Sequence, residues 1–363
     1  MRMKKIIVSV TNDLATDQRV DRVCTTLHQW GYKVLLVGRL LPDSLPIERP
    51  YRCKRIKFLF HKNFSFYAEF NIRLFFFLLF SKSDILLAND LDTLPANYMA
   101  AKLKQSRLIF DSHEYFPETP EVYKRKFVKT IWLFIEKIFI YGIDKGYTVS
   151  NSIAEIYQQK YHLSLDVVRN VPFLNNSNLL FISKPATPFI LYQGSINIGR
   201  GLDLAIQAMQ FIPDAELVIA GSGPELPAIK NLTQQLGLGS KVKFLGKIPP
   251  DELKEITMKA TVGISLEEPT GMSYKAALPN KLFDYIQAGI PVLVSNLIEM
   301  ELLVKQYNIG LVAINRDPEY IARQLNTLMY DKILQEKWKE NLAIASKDLC
   351  WEKESLKLRA IFS

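Results

Sequence analysis

The chain has 363 residues, 48% of them apolar, and a formal net charge of +9 at pH 7. That apolar share excludes a disordered chain, and the length exceeds what one core usually supports, so two domains are expected. Cys24, Cys53 and Cys350 lie far apart with no metal-ligand spacing and read as reduced thiols of a cytosolic protein.

Met1 to Val10 places Lys4 and Lys5 before a short apolar run, lacks a small-residue cleavage site, and reads as a first strand. Apolar runs predict further strands at 33–37, 55–60, 84–88, 107–110, 146–149 and 166–168. Helical spacing predicts helices over 17–30, 66–80, 94–103, 126–141 and 152–160. Strand, helix, strand in this order implies parallel sheets with right-handed crossovers. No apolar run reaches the roughly 18 residues of a membrane span.

Several positions in this half invite a binding role. The polar loop after the first strand holds Asp17, and Arg19 and Arg22 share a helix face that suits an anionic group. Ala88–Asp92 ends a strand with a cap-like pattern. Phe110 to Glu114 ends another and contains His113, one of four histidines, which can donate to or orient a hydroxyl. Residues 1–180 contain 26 Lys+Arg against 17 Asp+Glu, which is the whole +9. That bias suggests an anionic membrane surface as partner; no recognition-helix signature points to nucleic acid. The stretch 124–145 starts with Lys124, Arg125, Lys126 and Lys129 and continues with aromatics. Both an interfacial helix and a core helix with basic ends fit it.

Residues 171–188 crowd proline, asparagine and serine and read as a linker. After it the alternation restarts, with strands at 189–193, 216–220, 243–245, 262–265 and 292–294. Helices are predicted at 202–209, 224–236, 251–258 and from Asn280 to Gly289, with further helices beyond. Gly194, Ser195 and Arg200 lie in a glycine loop between strand and helix, and Gly221 and Gly223 in a second. Glycines let backbone N–H groups approach an anion, and arginine adds a forked charged contact. An ordinary tight turn fits both loops as well. Glu267 and Glu268 follow a strand end, on the ligand side of a parallel sheet. Lys281 and Asp284 share the first turn of the helix that Asn280 would cap and Gly289 would stop.

The order of these pieces resembles glycosyltransferase family 4, the retaining, nucleotide-sugar-dependent group. The resemblance rests on Thr16 to Val20, Asp111 to Glu114, Gly194 to Gly201, Ala220 to Pro224, Lys243 to Gly246, Cys350 to Glu352 and, most strongly, Pro279 to Val294. It implies a GT-B fold, α/β, with two doubly wound Rossmann-like domains facing across a cleft. The expected layout is an acceptor-binding domain 1–170, the linker 171–188, a donor-binding domain 189–345, and a terminal helix in 346–363 packing back on the first domain.

The resemblance also implies roles. Arg200 and Lys281 would contact the donor diphosphate and Asp284 the ribose, with Gly194, Ser195, Gly221 and Gly223 lining the donor site. His113 would contact the transferred sugar, and Glu267 or Glu268 its hydroxyls. Asp17, Arg19 and Arg22 are the acceptor candidates. The family's glutamate pair lies eight apart, whereas here Ala276 stands eight before Asp284 and Glu268 stands sixteen before it. Ser195 replaces a frequent second arginine.

The implied activity is sugar transfer from a nucleoside diphosphate sugar to a glycan or lipid-linked acceptor, in cell-surface polysaccharide or glycolipid synthesis. No cofactor or essential metal is expected. The implied location is cytoplasmic, peripheral on the inner face of the plasma membrane. Two rivals stay open: a nucleotide-sugar epimerase of the same fold, and a non-catalytic protein binding nucleotide sugar or glycan.

Overall fold

The computed structural model describes residues 3–15, 17–42, 44–175 and 183–363. Thr16 of the Thr16–Val20 motif and residues 176–182 of the expected linker lie outside the described residues. Two compact units divide the chain: Met1–Arg169 with Ser355–Ser363, and Asn170–Glu354.

Among the described residues, the first unit holds strands β1 (Lys5–Asp13), β2 (Lys33–Arg39), β3 (Arg52–Ile56), β4 (Ile85–Asn89), β5 (Arg107–Ser112), β6 (Lys145–Thr148) and β7 (Asp166–Val167). They form one parallel sheet in the order β3-β2-β1-β4-β5-β6-β7. β4 is buried at every position because helices cover both faces of such a sheet, so its apolar residues run without alternation. The strand order reverses between β1 and β4, and ligands of open α/β sheets bind outside the carboxyl ends at such a switch point.

The second unit contains β8 (Phe189–Gln193), β9 (Glu216–Ala220), β10 (Val242–Gly246), β11 (Val262–Ser265), β12 (Val292–Ser295) and β13 (Gly310–Ala313). Their order is β10-β9-β8-β11-β12-β13, again all parallel. Its switch point lies between β8 and β11. β13 was not among the predicted strands: it is an edge strand, opened by Gly310, with its first three residues only half-buried.

The helix of the strongest motif runs Asn280–Gln287. Asn280 does not cap it. Pro279 occupies the cap with no side-chain bond, and Asn280 Oδ1 instead accepts from Asn170 Nδ2 at 2.8 Å. Gly289 does end the segment, with φ +67° and its N–H donating to Ile286 O. The last helix, Trp351–Phe362, begins in the second unit and finishes in the first. There Tyr32 Oη donates to Phe362 O (2.9 Å) and Arg107 Nη2 to Ile361 O (2.6 Å).

Candidate functional sites

In the second unit a charged cluster forms at the carboxyl ends of β8 and β11. Glu267 is completely buried and accepts from Ser265 Oγ at 2.7 Å. Its Oε1 lies 2.8 Å from Lys281 Nζ and 3.4 Å from Arg200 Nη1. Lys281, only 7% exposed, sits over the Tyr192 ring at 4.0 Å, and Arg200 over the Tyr274 ring at 5.1 Å. Burial raises the Glu267 carboxyl, but Lys281 and Arg200 more than offset it, and the group stays below its usual value. Burial pulls Lys281 down further than Glu267 lifts it. Two cations thus share one carboxylate.

Three helices and loops deliver these side chains. Asp284, one turn after Lys281, accepts from Gln193 Nε2 at 2.8 Å, and Gln193 Oε1 accepts from Thr257 Oγ1 at 2.8 Å. The extra residues between Glu267 and Asp284 contain helix Gly271–Lys275, which supplies Tyr274. Of the two candidate glutamates only Glu267 reaches Lys281 and Arg200. Glu268 turns toward Arg316, 3.7 Å from its Nη2. Arg316 Nη1 also donates to Leu266 O (3.0 Å) and Glu267 O (3.4 Å), so it holds the loop that presents Glu267. Sequence reasoning missed Arg316 because it follows β13, the strand that was not predicted.

The glycine loops act differently from the anion-donor expectation. Gly194 N–H donates to Ala220 O (2.9 Å) and Gly221 N–H to Gly246 O (2.7 Å), so loop packing consumes both. A Cβ on Gly221 would lie 1.8 Å from Gly194 O, and one on Gly223 2.2 Å from Ile196 O. These glycines let two loops touch. Gly194, at φ +131°, is the open one: a Cβ there meets only Tyr192 Oη, at 3.9 Å. Ser195 is exposed, and its carbonyl accepts from Tyr192 Oη at 2.7 Å.

In the first unit a second cluster gathers after β1, β4 and β5. His113 Nε2 is 3.1 Å from Asp111 Oδ2 and Nδ1 is 3.2 Å from Asp90 Oδ2, while its backbone N–H donates to Asp90 Oδ1 at 2.8 Å. Burial lowers the imidazole, but Asp90 and Asp111 overcome it and raise it to about 9. Asp111 is lowered to about 2, since Arg19 and His113 outweigh its burial. Burial and the nearby Asp90 push Asp92 up to about 7, although it accepts from Thr11 Oγ1 at 2.6 Å. Both ring nitrogens of His113 are engaged, so a ligand hydroxyl reaching them must displace a carboxylate. The cap-like Ala88–Asp92 pattern concealed this role of Asp90.

Arg19 does not face a ligand, contrary to the acceptor expectation. It is 3% exposed and forks onto Asp111 (Nε to Oδ2 3.1 Å, Nη2 to Oδ1 2.7 Å), with Nη1 donating to Val168 O at 2.9 Å. Asp17 is likewise occupied: it caps helix Gln18–Gln29 through Val20 N–H and accepts from Asn12. Arg22 is partly buried on the same helix. The cause is that the helix turns its Arg19 side onto the sheet. Among the described residues, no cluster of three or more His, Cys, Asp or Glu has metal-holding geometry, and no helix is long and apolar enough to cross a membrane.

Two family models match the chain: Glycosyltransferase Family 4 over residues 17–172 and Glycosyl transferases group 1 over residues 181–343. An uncharacterized glycosyltransferase of Methanocaldococcus jannaschii is 32% identical over 147 residues, 39% of this chain and 36% of that protein. The match therefore spans about a third of that relative's length. Sucrose-phosphate synthase from Thermosynechococcus elongatus has a similar structure, with TM-score 0.80, 18% identity, and coverage of 99% of this chain and 98% of that one. HepE of Anabaena, solved in complex with UDP and glucose, gives TM-score 0.77 and 14% identity, covering 99% of both chains. At these identities the structural likeness shows the fold.

Proposed function

Because the chain belongs to the glycosyltransferases of the family 4 type, we propose that it moves a sugar from a nucleoside diphosphate sugar to a hydroxyl of a glycan or lipid-linked acceptor, with retention at the anomeric carbon. The observation that carries this reading is the buried Glu267–Lys281–Arg200 cluster at the carboxyl ends of β8 and β11. Preorganised cations in a dry site stabilise a departing diphosphate far better than the same charges in water. Glu267 holds both cations in place for the diphosphate. Asp284 is the ribose contact, and Gly194 leaves the loop open for close approach. In the first unit, His113, held between Asp90 and Asp111, takes the sugar-contacting role when a hydroxyl displaces one of those carboxylates.

No carboxylate is assigned as a covalent nucleophile, so the acceptor hydroxyl attacks on the face the leaving group departs from. No resident metal or cofactor is invoked. The complexes of HepE with UDP and with UDP-glucose support a UDP-sugar as the first donor to try. The bias of the +9 charge to residues 1–180 supports an acceptor presented at the cytoplasmic face of a membrane, in cell-surface glycan or glycolipid synthesis.

Thermal unfolding with UDP-, GDP- and ADP-sugars tests the reading. A donor at about a hundredfold its Kd adds about 2.7 kcal/mol of apparent stability. The Arg200→Ala variant is expected to lose that gain. If no nucleotide sugar stabilises the protein, the reading fails. Conversion of the donor sugar without any acceptor would identify an epimerase instead.

A further inference from the structure

Helix Lys126–Phe139 buries Trp132 beside an acid and leaves large apolar side chains in solvent. Its inward face carries Glu136, fully buried, which accepts from Tyr157 Oη (3.2 Å), Lys160 Nζ (3.0 Å) and Tyr161 Oη. Its outward face carries Phe127 and Phe134, 79% and 64% exposed, with Ile138 and then Tyr141 also exposed. Spacings of seven, four and three place these four on one stripe. A surface helix of a soluble domain ordinarily keeps its solvent face polar.

The charges at the start of this helix are equally unusual. Lys124, Arg125 and Lys126 are all exposed, no acid lies in the first turn, and Arg125 occupies the cap with no side-chain hydrogen bond. Cations there oppose the helix dipole, so helix stability does not account for them. The neighbouring helix Asn63–Phe80 contacts this one through Tyr67 and Trp132, ring centroids 5.1 Å apart, and exposes Phe76 and Phe80. The crossovers from β3 to β4 and from β5 to β6 run in the same direction across the sheet, so right-handedness puts both helices on one face.

We propose that this face, centred on Phe127 and Phe134 and edged by Lys124, Arg125 and Lys126, is the surface by which the protein lies on an anionic lipid bilayer. The rings enter the boundary between headgroups and acyl chains, and the cations meet lipid phosphates. A second copy of the chain suits it poorly, because a two-fold axis through the stripe would lay this basic edge over the far end of the partner's helix, whose one acid, Glu136, is buried. The proposal deepens the membrane-presented acceptor of the proposed function, but binding to lipid requires neither donor nor turnover.

The test is sedimentation of the full chain with phosphatidylcholine vesicles, with and without about one quarter phosphatidylglycerol. The protein is expected to pellet only with the anionic vesicles and to be released by about 0.5 M salt. A Phe127→Ser/Phe134→Ser variant and a Lys124→Glu/Arg125→Glu/Lys126→Glu variant are each expected to lose on the order of tenfold in apparent affinity. Their thermal midpoints and donor-induced shifts should match the parent, because the altered side chains face solvent. Vesicle binding that persists in Arg200→Ala supports the surface independently of the sugar chemistry. Equal recovery in the supernatant with and without anionic vesicles overturns the proposal, as do variants that pellet like the parent. A parent dimer that the serine variant dissolves, without vesicle binding, would make the occupant a second copy.

Discussion

Replacing Lys281 with methionine keeps the stem and removes the charge that lies 2.8 Å from buried Glu267. Arg200, at 3.4 Å and partly exposed, then remains as the cation beside that carboxylate. Removing one partner of a buried pair is costly because the other charge stays buried. The cost has a ceiling, since Glu267 can take up a proton instead. From an ordinary carboxyl value near 4.3, that proton costs about 3.5 kcal/mol at about pH 7 and only about 1 kcal/mol at about pH 5. Lys281→Met is therefore expected to destabilise the second unit by roughly 2–3.5 kcal/mol at neutral pH, with the loss shrinking as the solution is acidified.

The sign follows from the direction of the shift. Glu267 is lowered in the folded protein, so its contribution is present above its unfolded value and is lost as pH falls through the folded one. Glu267→Gln should show the opposite trend. It leaves Lys281 buried, and a lysine is harder to neutralise as pH falls, so the loss does not shrink. Urea unfolding of the parent and both variants at the two pH values measures this. A Lys281→Met loss that is the same at both pH values, or below about 0.5 kcal/mol, would refute the buried-pair argument.

The raised His113 predicts the mirror behaviour in the first unit. Its contribution is complete below about pH 6.5 and lost as pH rises through about 9, so stability curves of the parent and His113→Gln should converge in alkali. Gly221→Ala should cost several times what Gly237→Ala costs. Gly237 pays mainly the positive-φ penalty of about 1 kcal/mol, with nothing within 4 Å of its new Cβ, whereas the Gly221 Cβ runs into the Gly194 carbonyl. Calorimetry of the two variants settles it. In transfer assays, Glu267→Gln should lose on the order of a hundredfold in kcat and Glu268→Gln less than about threefold, because only Glu267 reaches the cations. Equal losses would remove Glu267 from the proposed site.

Much of the architecture could be read from the chain alone, because apolar runs of strand length alternating with helical spacing allow few arrangements other than stacked strand–helix–strand units. The glycine loops and the 280–287 helix were legible for the same reason, since their signals are local. β13 was not legible: Gly310 opens it, and as a half-buried edge strand it lacks a run of core residues. Which of Glu267 and Glu268 serves the cluster was not written locally either. Adjacent side chains on an irregular loop point apart, and the choice depends on Lys281 and Arg200 arriving from distant segments and on Arg316 holding the carbonyls. Arg19 makes the same point in reverse. Its spacing from Arg22 suggested an anion-facing pair, but Asp111 on β5 claims it inside the unit. Periodicity and turn chemistry act over a few residues and so appear in any window of the sequence. The partner of a charge is set by burial, where water no longer satisfies it, and that becomes visible only when the sheet has brought strands from far along the chain side by side.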